Sequence, residues 1–153
     1  MNIMENISEK LHFDENEICP GGKKDIEEII CIAPFPLPED YLDFLRQISG
    51  EGSFGPEFIV EDSGASIWIW SAKMALEKLE EFRFPFTQEF MDKVWLFGND
   101  LGDFVYFFGE GKDGFGLYRT FDSGLSFDCA EKISDTLTDF LVNGVGIDVA
   151  TTL

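Results

Sequence analysis

The apolar positions of the chain change period along its length, and those changes mark out the elements. From Val94 to Asp122 three short apolar runs alternate with Gly- and Asp-rich breaks. Val94 to Phe97 is closed by Gly98-Asn99-Asp100. Phe104 to Phe108 carries Phe104, Tyr106 and Phe108 on one side, with Val105 and Phe107 on the other. Side chains alternate across a strand, so a run that is apolar on both sides is covered on both sides. Phe104–Phe108 therefore reads as a central strand, and Phe115–Arg119 as a third strand broken by Gly116. The breaks are too short for a crossover helix, so these strands are antiparallel neighbours.

Upstream the period becomes helical. Ile26, Ile29 and Ile30 follow Lys24-Asp25 on one stripe, which Pro34 and Pro36 stop. Pro38 suits the first turn of a second helix, with Glu39 and Asp40 at its positive end. Tyr41, Phe44, Leu45 and Ile48 then keep the i, i+3, i+4, i+7 spacing up to Gly50. Phe58–Val60 and Ile67–Trp70 read as strands around an acidic turn. Ser71 is the expected N-cap of a helix over Ala72–Phe82, with Met74, Leu76 and Leu79 facing in. Arg83–Asp92, holding Pro85, reads as connection. Ser134 is expected to cap a last helix through Phe140 and Leu141. At the start, Ile3, Ile7 and Leu11 form a weak helical stripe before Cys19-Pro20-Gly21-Gly22. The organisation expected is a helical extension over 1–20, one α+β domain over 21–145 and a tail over 146–153.

Composition narrows the class. A chain of 153 residues with 17 Phe can fill a real core. Thirty acidic residues against eleven basic ones give a net charge of −19. That balance excludes nucleic acid as a direct partner and opposes an anionic membrane surface, since both need Lys and Arg. It leaves a surface kept soluble by self-repulsion, or one complementary to a basic protein. Cys19, Cys31 and Cys129 are odd in number and widely spaced, which points to reduced thiols in the cytoplasm rather than a disulfide framework or a zinc site. The N-terminus lacks the apolar centre of a signal peptide, and no run approaches membrane-spanning length.

Candidate chemistry is sparse. Gly109-Glu110-Gly111-Lys112-Asp113-Gly114 matches the dinucleotide fingerprint by letter. That fingerprint needs a helix after its glycines, and here a strand follows; a hairpin turn explains them better. His12 is the only histidine, and a triad would have to draw it from the N-terminal arm, so a surface position is the ordinary reading. Asp100, Asp103, Glu110, Asp113, Asp122 and Asp128 crowd the strand ends. Carboxylates there serve turns first; they could also form an acidic contact surface, an acid–base pair or a hard-cation site. Trp68 and Trp70 share one face by the period of two, and would anchor an interface if that face is open. No cofactor is implied. The residues expected to meet a partner are Asp100, Asp103, Glu110, Asp113 and Trp70.

The order of elements resembles the SUKH superfamily of the SMI/KNR type. Leu37-Pro38-Glu39-Asp40-Tyr41-Leu42-Asp43-Phe44-Leu45 is similar to that group's LP-x-x-Y-x-x-FL signature. Trp70-Ser71 before a Glu-rich helix fits it too, as does Phe97-Gly98-Asn99-Asp100-Leu101-Gly102-Asp103 leading into an aromatic strand. So does the closing segment Ser134 to Leu141. The resemblance, over Asp25 to Val142, implies an α+β domain with a mainly antiparallel mixed sheet of five to six strands backed by helices. It implies a non-enzymatic protein-binding role. Many bacterial members are immunity proteins that neutralise a toxin, often a nuclease, while fungal relatives regulate cell-wall glucan synthesis. The partner expected is thus a basic toxin domain; the alternative functions are a regulatory scaffold domain and a small carboxylate-based enzyme or cation-binding domain.

Overall fold

A computed structural model describes residues 2–152. Its frame is one seven-stranded sheet in sequence order, β1 (Leu11–His12), β2 (Glu57–Val60), β3 (Ser66–Ile69), β4 (Val94–Asn99), β5 (Phe104–Gly111), β6 (Gly114–Phe121) and β7 (Glu131–Ser134). Every neighbouring pair is antiparallel. The α+β architecture and antiparallel sheet expected from the sequence are present; the sheet has seven strands rather than five or six. Both additions are edge strands of two and four residues, too short for the period of two to declare itself.

Among the described residues six α-helices complete the fold: α1 (Lys23–Ile32), α2 (Glu39–Ile48), α3 (Ala72–Phe82), α4 (Gln88–Met91), α5 (Leu137–Leu141) and α6 (Ile147–Thr151). Pro38 opens α2, and Tyr41, Phe44, Leu45 and Ile48 are all buried. Ser71 caps α3 by accepting from Met74 N at 3.3 Å. On α3 the buried residues are Ala72, Ala75 and Leu79 rather than the larger Met74 and Leu76, since small residues let the helix lie close to its neighbours. On α1 Ile26 and Ile29 go inward, but Ile30 is exposed.

β5 lies inside the sheet and is covered on both faces, as its sequence requires. On one face Trp95, Phe97 and Phe108 meet Tyr41 of α2, and Tyr106 meets Phe140 of α5. Trp95 Nε1 donates to Tyr41 Oη at 3.0 Å, so the polar ends of two buried rings satisfy each other. On the opposite face Phe107 stacks on Tyr118 and meets Phe90 of α4 and Phe127.

The two terminal segments differ from expectation. The stretch before Cys19 is not helical: it holds turns, β1 and a single 3₁₀ turn at Glu15–Glu17. Asn2, Ser8 and Asp14 accept from Glu5, Lys10 and Asn16 backbone N–H groups, which gives the backbone local partners in place of a helical ladder. Ile3, Met4 and Leu11 are nonetheless buried. The segment expected to be a tail forms α6, with Ile147 and Ala150 buried and Ala150 O accepting from Tyr106 Oη at 3.1 Å. Met1 and Leu153, at the outer ends of these segments, lie outside the described residues. The last helix before it is capped by Thr136, not Ser134, which ends β7.

Candidate functional site

The β5–β6 hairpin decides where the acidic turns go. Gly111 pairs with Gly114 and Phe104 with Phe121, so Lys112-Asp113 forms the turn at one end. The β4–β5 turn, Asp100 to Asp103, and Asp122 after β6 sit at the other. The four acidic residues expected to act together are therefore split, Asp100 and Asp103 from Glu110 and Asp113, by the length of β5, about 25 Å. They form two surfaces, not one. We refer to the Asp100 end as the open end and the Asp113 end as the closed end.

At the closed end the hairpin glycines serve packing. A Cβ on Gly111 would lie 2.5 Å from Tyr118 Cζ, so only glycine lets that ring pass. Tyr118 Oη accepts from Asp113 N at 3.1 Å and donates to Gly114 O at 2.6 Å. The fingerprint-like run is a turn with a strand after it, and holds no helix N-terminus for a phosphate. Two lysines bond to backbone oxygens of the turn and of the loop beside it. Lys132 Nζ donates to Asp113 O at 3.0 Å and to Asp135 Oδ1 at 2.5 Å, and the Asp135 bond raises the Lys132 pKa above its ordinary value. Lys112 Nζ reaches Asp128 O at 3.5 Å.

The open end is built differently. Asp100 Oδ1 accepts from Gly102 N at 2.8 Å and Phe104 N at 3.2 Å, and Asn99 Oδ1 accepts from Leu101 N at 3.0 Å. These bonds hold Leu101 at φ 60°, a conformation that suits glycine, with the side chain 53% exposed. Asp122 N donates to Asp103 O at 2.9 Å, which ties the turn to the end of β6. Partial desolvation first, then the like charges of Asp103 and Asp100, raises the Asp122 carboxyl above its ordinary pKa. None of the seven ion pairs among the described residues uses Asp100, Asp103 or Asp122. The nearby cation, Arg119, lies 3.9 Å from the centre of the Phe104 ring, and its bonds go to Glu131 at 2.8 Å and Thr152 O at 2.5 Å.

Two hollows lie at this end of the sheet. One of about 660 Å³ lies between the Ser63–Ser66 turn, the Asp100–Phe104 turn and Phe121. Another of about 370 Å³ is lined by Phe84, Phe86, Asp122 and Leu125. Phe84 and Phe86 flank Pro85 in the segment expected to be plain connection, which in fact holds a 3₁₀ turn and α4. Sequence reasoning missed these two rings. The signal is there: Phe82, Phe84 and Phe86 alternate through a proline-broken stretch too short to bury all three.

Trp70 needs correction as a contact. It is 0% exposed and cannot meet a partner on the folded surface. The face that Trp68 and Trp70 share is closed by Lys78 of α3, whose Nζ lies 5.7 and 6.0 Å from the two ring centres. Trp68, the less buried of the two, donates from Nε1 to Phe54 O at 3.1 Å. His12 is exposed on β1, 3.7 Å from Glu61. Cys19, Cys31 and Cys129 are free thiols. Among the described residues, no group of three or more His, Cys, Asp or Glu side chains is arranged to hold a metal ion. Among them, too, no helix is long and apolar enough to cross a membrane.

With this geometry in view, residues 20–143 match the SMI1 / KNR4 family (SUKH-1). The chain belongs to this family. The SUKH-1 match takes in α1 to α5 and β2 to β7, and so both ends of the β5–β6 hairpin. β1 and α6 lie outside it. No curated protein matches the chain.

Proposed function

We propose that this SUKH-1 chain is a non-enzymatic binding protein of the immunity type, acting in the cytoplasm to neutralise a toxin by direct contact. The toxin is a nuclease or another basic protein. The observation that carries this reading is the set of acidic side chains at the open end that take part in no ion pair among the described residues. It adds to a net charge of −19. A nuclease is basic around its substrate groove, because it must hold phosphates. An acidic inhibitor is steered to that groove and can occupy the phosphate path. An interface of about 1,600 Å² suffices for a specific complex of this kind.

The test is rescue. Cells expressing a toxin encoded beside this chain's gene survive when the chain is co-expressed, and the purified pair binds with an on-rate that falls steeply with salt. Failure to rescue any adjacent toxin, together with no measurable binding, overturns the reading. Turnover of a small compound that one side-chain change abolishes overturns its non-enzymatic part.

A further inference from the structure

We propose that the open end of the sheet is the docking face, and that what docks there is a protein segment carrying an aromatic or aliphatic side chain between Lys or Arg residues. This rests on the reading of the chain as a binding protein, and adds to it the place and the chemistry.

The apolar part of the surface comes first. Phe86 is 85% exposed and stacks on Phe84, rings 5.4 Å apart and 6° from parallel. Phe121 is 44% exposed and stacks on Phe104 at 4.6 Å. Leu101 stands out from the turn beside them. Phe121 borders the first hollow and Asp122, the next residue, borders the second. Single exposed apolar residues are ordinary, but a group such as Leu101, Phe104 and Phe121, gathered at one hollow beside Asp100 and Asp103, marks an interaction site. Stacked, paired rings are already ordered, so a partner side chain seated against them loses little further entropy.

Charge then selects the occupant. Neither hollow is lined by a Lys or an Arg. Arg83 and Lys93, on either side of the Phe84–Phe86 segment in sequence, are engaged by Glu80 and Glu89. Asp100 and Asp103 stand at like charge to Asp122, whose carboxyl is raised by partial desolvation first and by that repulsion second. A cation from outside relieves it. Nucleic acid and anionic lipid add to it, and a neutral apolar partner leaves it as it was. The closed end differs in its charges: beside Phe115, which packs edge-on against Phe35 at 5.3 Å, stand Lys112 and Lys132, bonded to backbone oxygens of Asp128 and Asp113.

The experiment uses the full chain, labelled with ¹⁵N, and a short peptide with one Trp between Lys-Arg pairs. Two control peptides replace the Trp with Ser, or the basic residues with Glu. The expected amide shifts fall on Leu101–Asp103, Phe121–Gly124 and Phe84–Phe86, and both controls lose them. The D100N/D103N/D122N protein binds the peptide at least about tenfold more weakly at low salt, whereas E110Q/D113N changes it by less than about twofold. Asn at 100 keeps the oxygen that Gly102 and Phe104 need. Should the triple variant lose its native spectrum, Phe86→Ser carries the same test from an exposed position. Shifts centred on Lys112–Asp113, shifts scattered over the acidic surface, or none at millimolar peptide overturn the proposal. Rescue from a toxin judges the function; the shift map judges the site, so each can fail alone.

Discussion

The two ends of the β5–β6 hairpin carry similar acidic turns and put them to different use. At the closed end Lys132 and Lys112 bond to the turn and the loop beside it, and Tyr118 pins its backbone. At the open end the carboxylates bond only to backbone N–H groups, their like charges face one another, and apolar side chains stand exposed beside them. The closed end has the chemistry of a fold determinant. The open end leaves charge and apolar surface unsatisfied, which is what a binding surface must do before its partner arrives. Acidic residues in a turn thus say little until their counter-charges are placed.

The largest expected effect is alkaline. Tyr106, on the strand that joins the two ends, has its hydroxyl pKa pushed up by burial and then by Asp100; burial does the same for Tyr41. Unfolding restores a value near 10. A raised folded value means that both contribute full stability below pH 10 and lose it as the pH climbs toward the folded values. Each loses about 1.4 kcal/mol per pH unit above 10. Denaturant midpoints measured from pH 8 to 11 fall accordingly. Tyr106→Phe removes its share of the slope; an unchanged slope breaks the assignment.

Next comes Gly111→Ala at the closed end. The added methyl meets a Tyr118 ring that is buried, stacked on Phe107 and tied at its hydroxyl, so the ring has nowhere to move. Overpacking of this kind costs about 2 kcal/mol, read from urea unfolding. The variant should bind its partner as the parent does. A binding defect in a variant that remains folded would make the closed end part of the interface.

Asp122→Asn separates the ends by pH. The folded carboxyl is raised, so its contribution to stability is fully present below about pH 3.9 and is lost as pH rises through its folded value. The amide removes that loss. The variant is therefore more stable than the parent at pH 7 and equal to it, or nearly so, at pH 3. Thermal melts at the two values test this. Lower stability at pH 7 would mean that the carboxylate is stabilised by something at the open end.

Much of this was legible in the sequence, and the gaps have physical causes. α2 declares itself through Pro38 and four apolar residues at helical spacing, and α3 through Ser71, because those signals are local. β5 declares itself because burial on both faces leaves an unbroken apolar run. β1, β7 and α6 do not. Each is at most five residues long, and packing from distant residues fixes them, as Tyr106 does for α6. The acidic turns were legible, and the hairpin that separates them was legible too. What the sequence withholds is their company. Phe84–Phe86 and Asp122 are far apart along the chain and meet only because the connections fold over one end of the sheet. Trp70 fails as a contact for the same reason: whether its face is open depends on where α3 lays Lys78.

The smallest effect bears most directly on the comparison. Leu101 occupies a backbone conformation that strains every residue with a Cβ, and it exposes an apolar side chain while doing so. Neither feature helps the fold. Leu101→Gly removes the strain, worth about 1 kcal/mol, against a smaller loss from the freer unfolded chain. Folding stability should rise by a few tenths of a kcal/mol in urea melts. Binding should weaken, because the side chain that borders the larger hollow is gone. Opposite signs in the two measurements are what a surface kept for a partner produces. If stability falls instead, Leu101 is holding the turn, and the contrast between the two ends loses one of its supports.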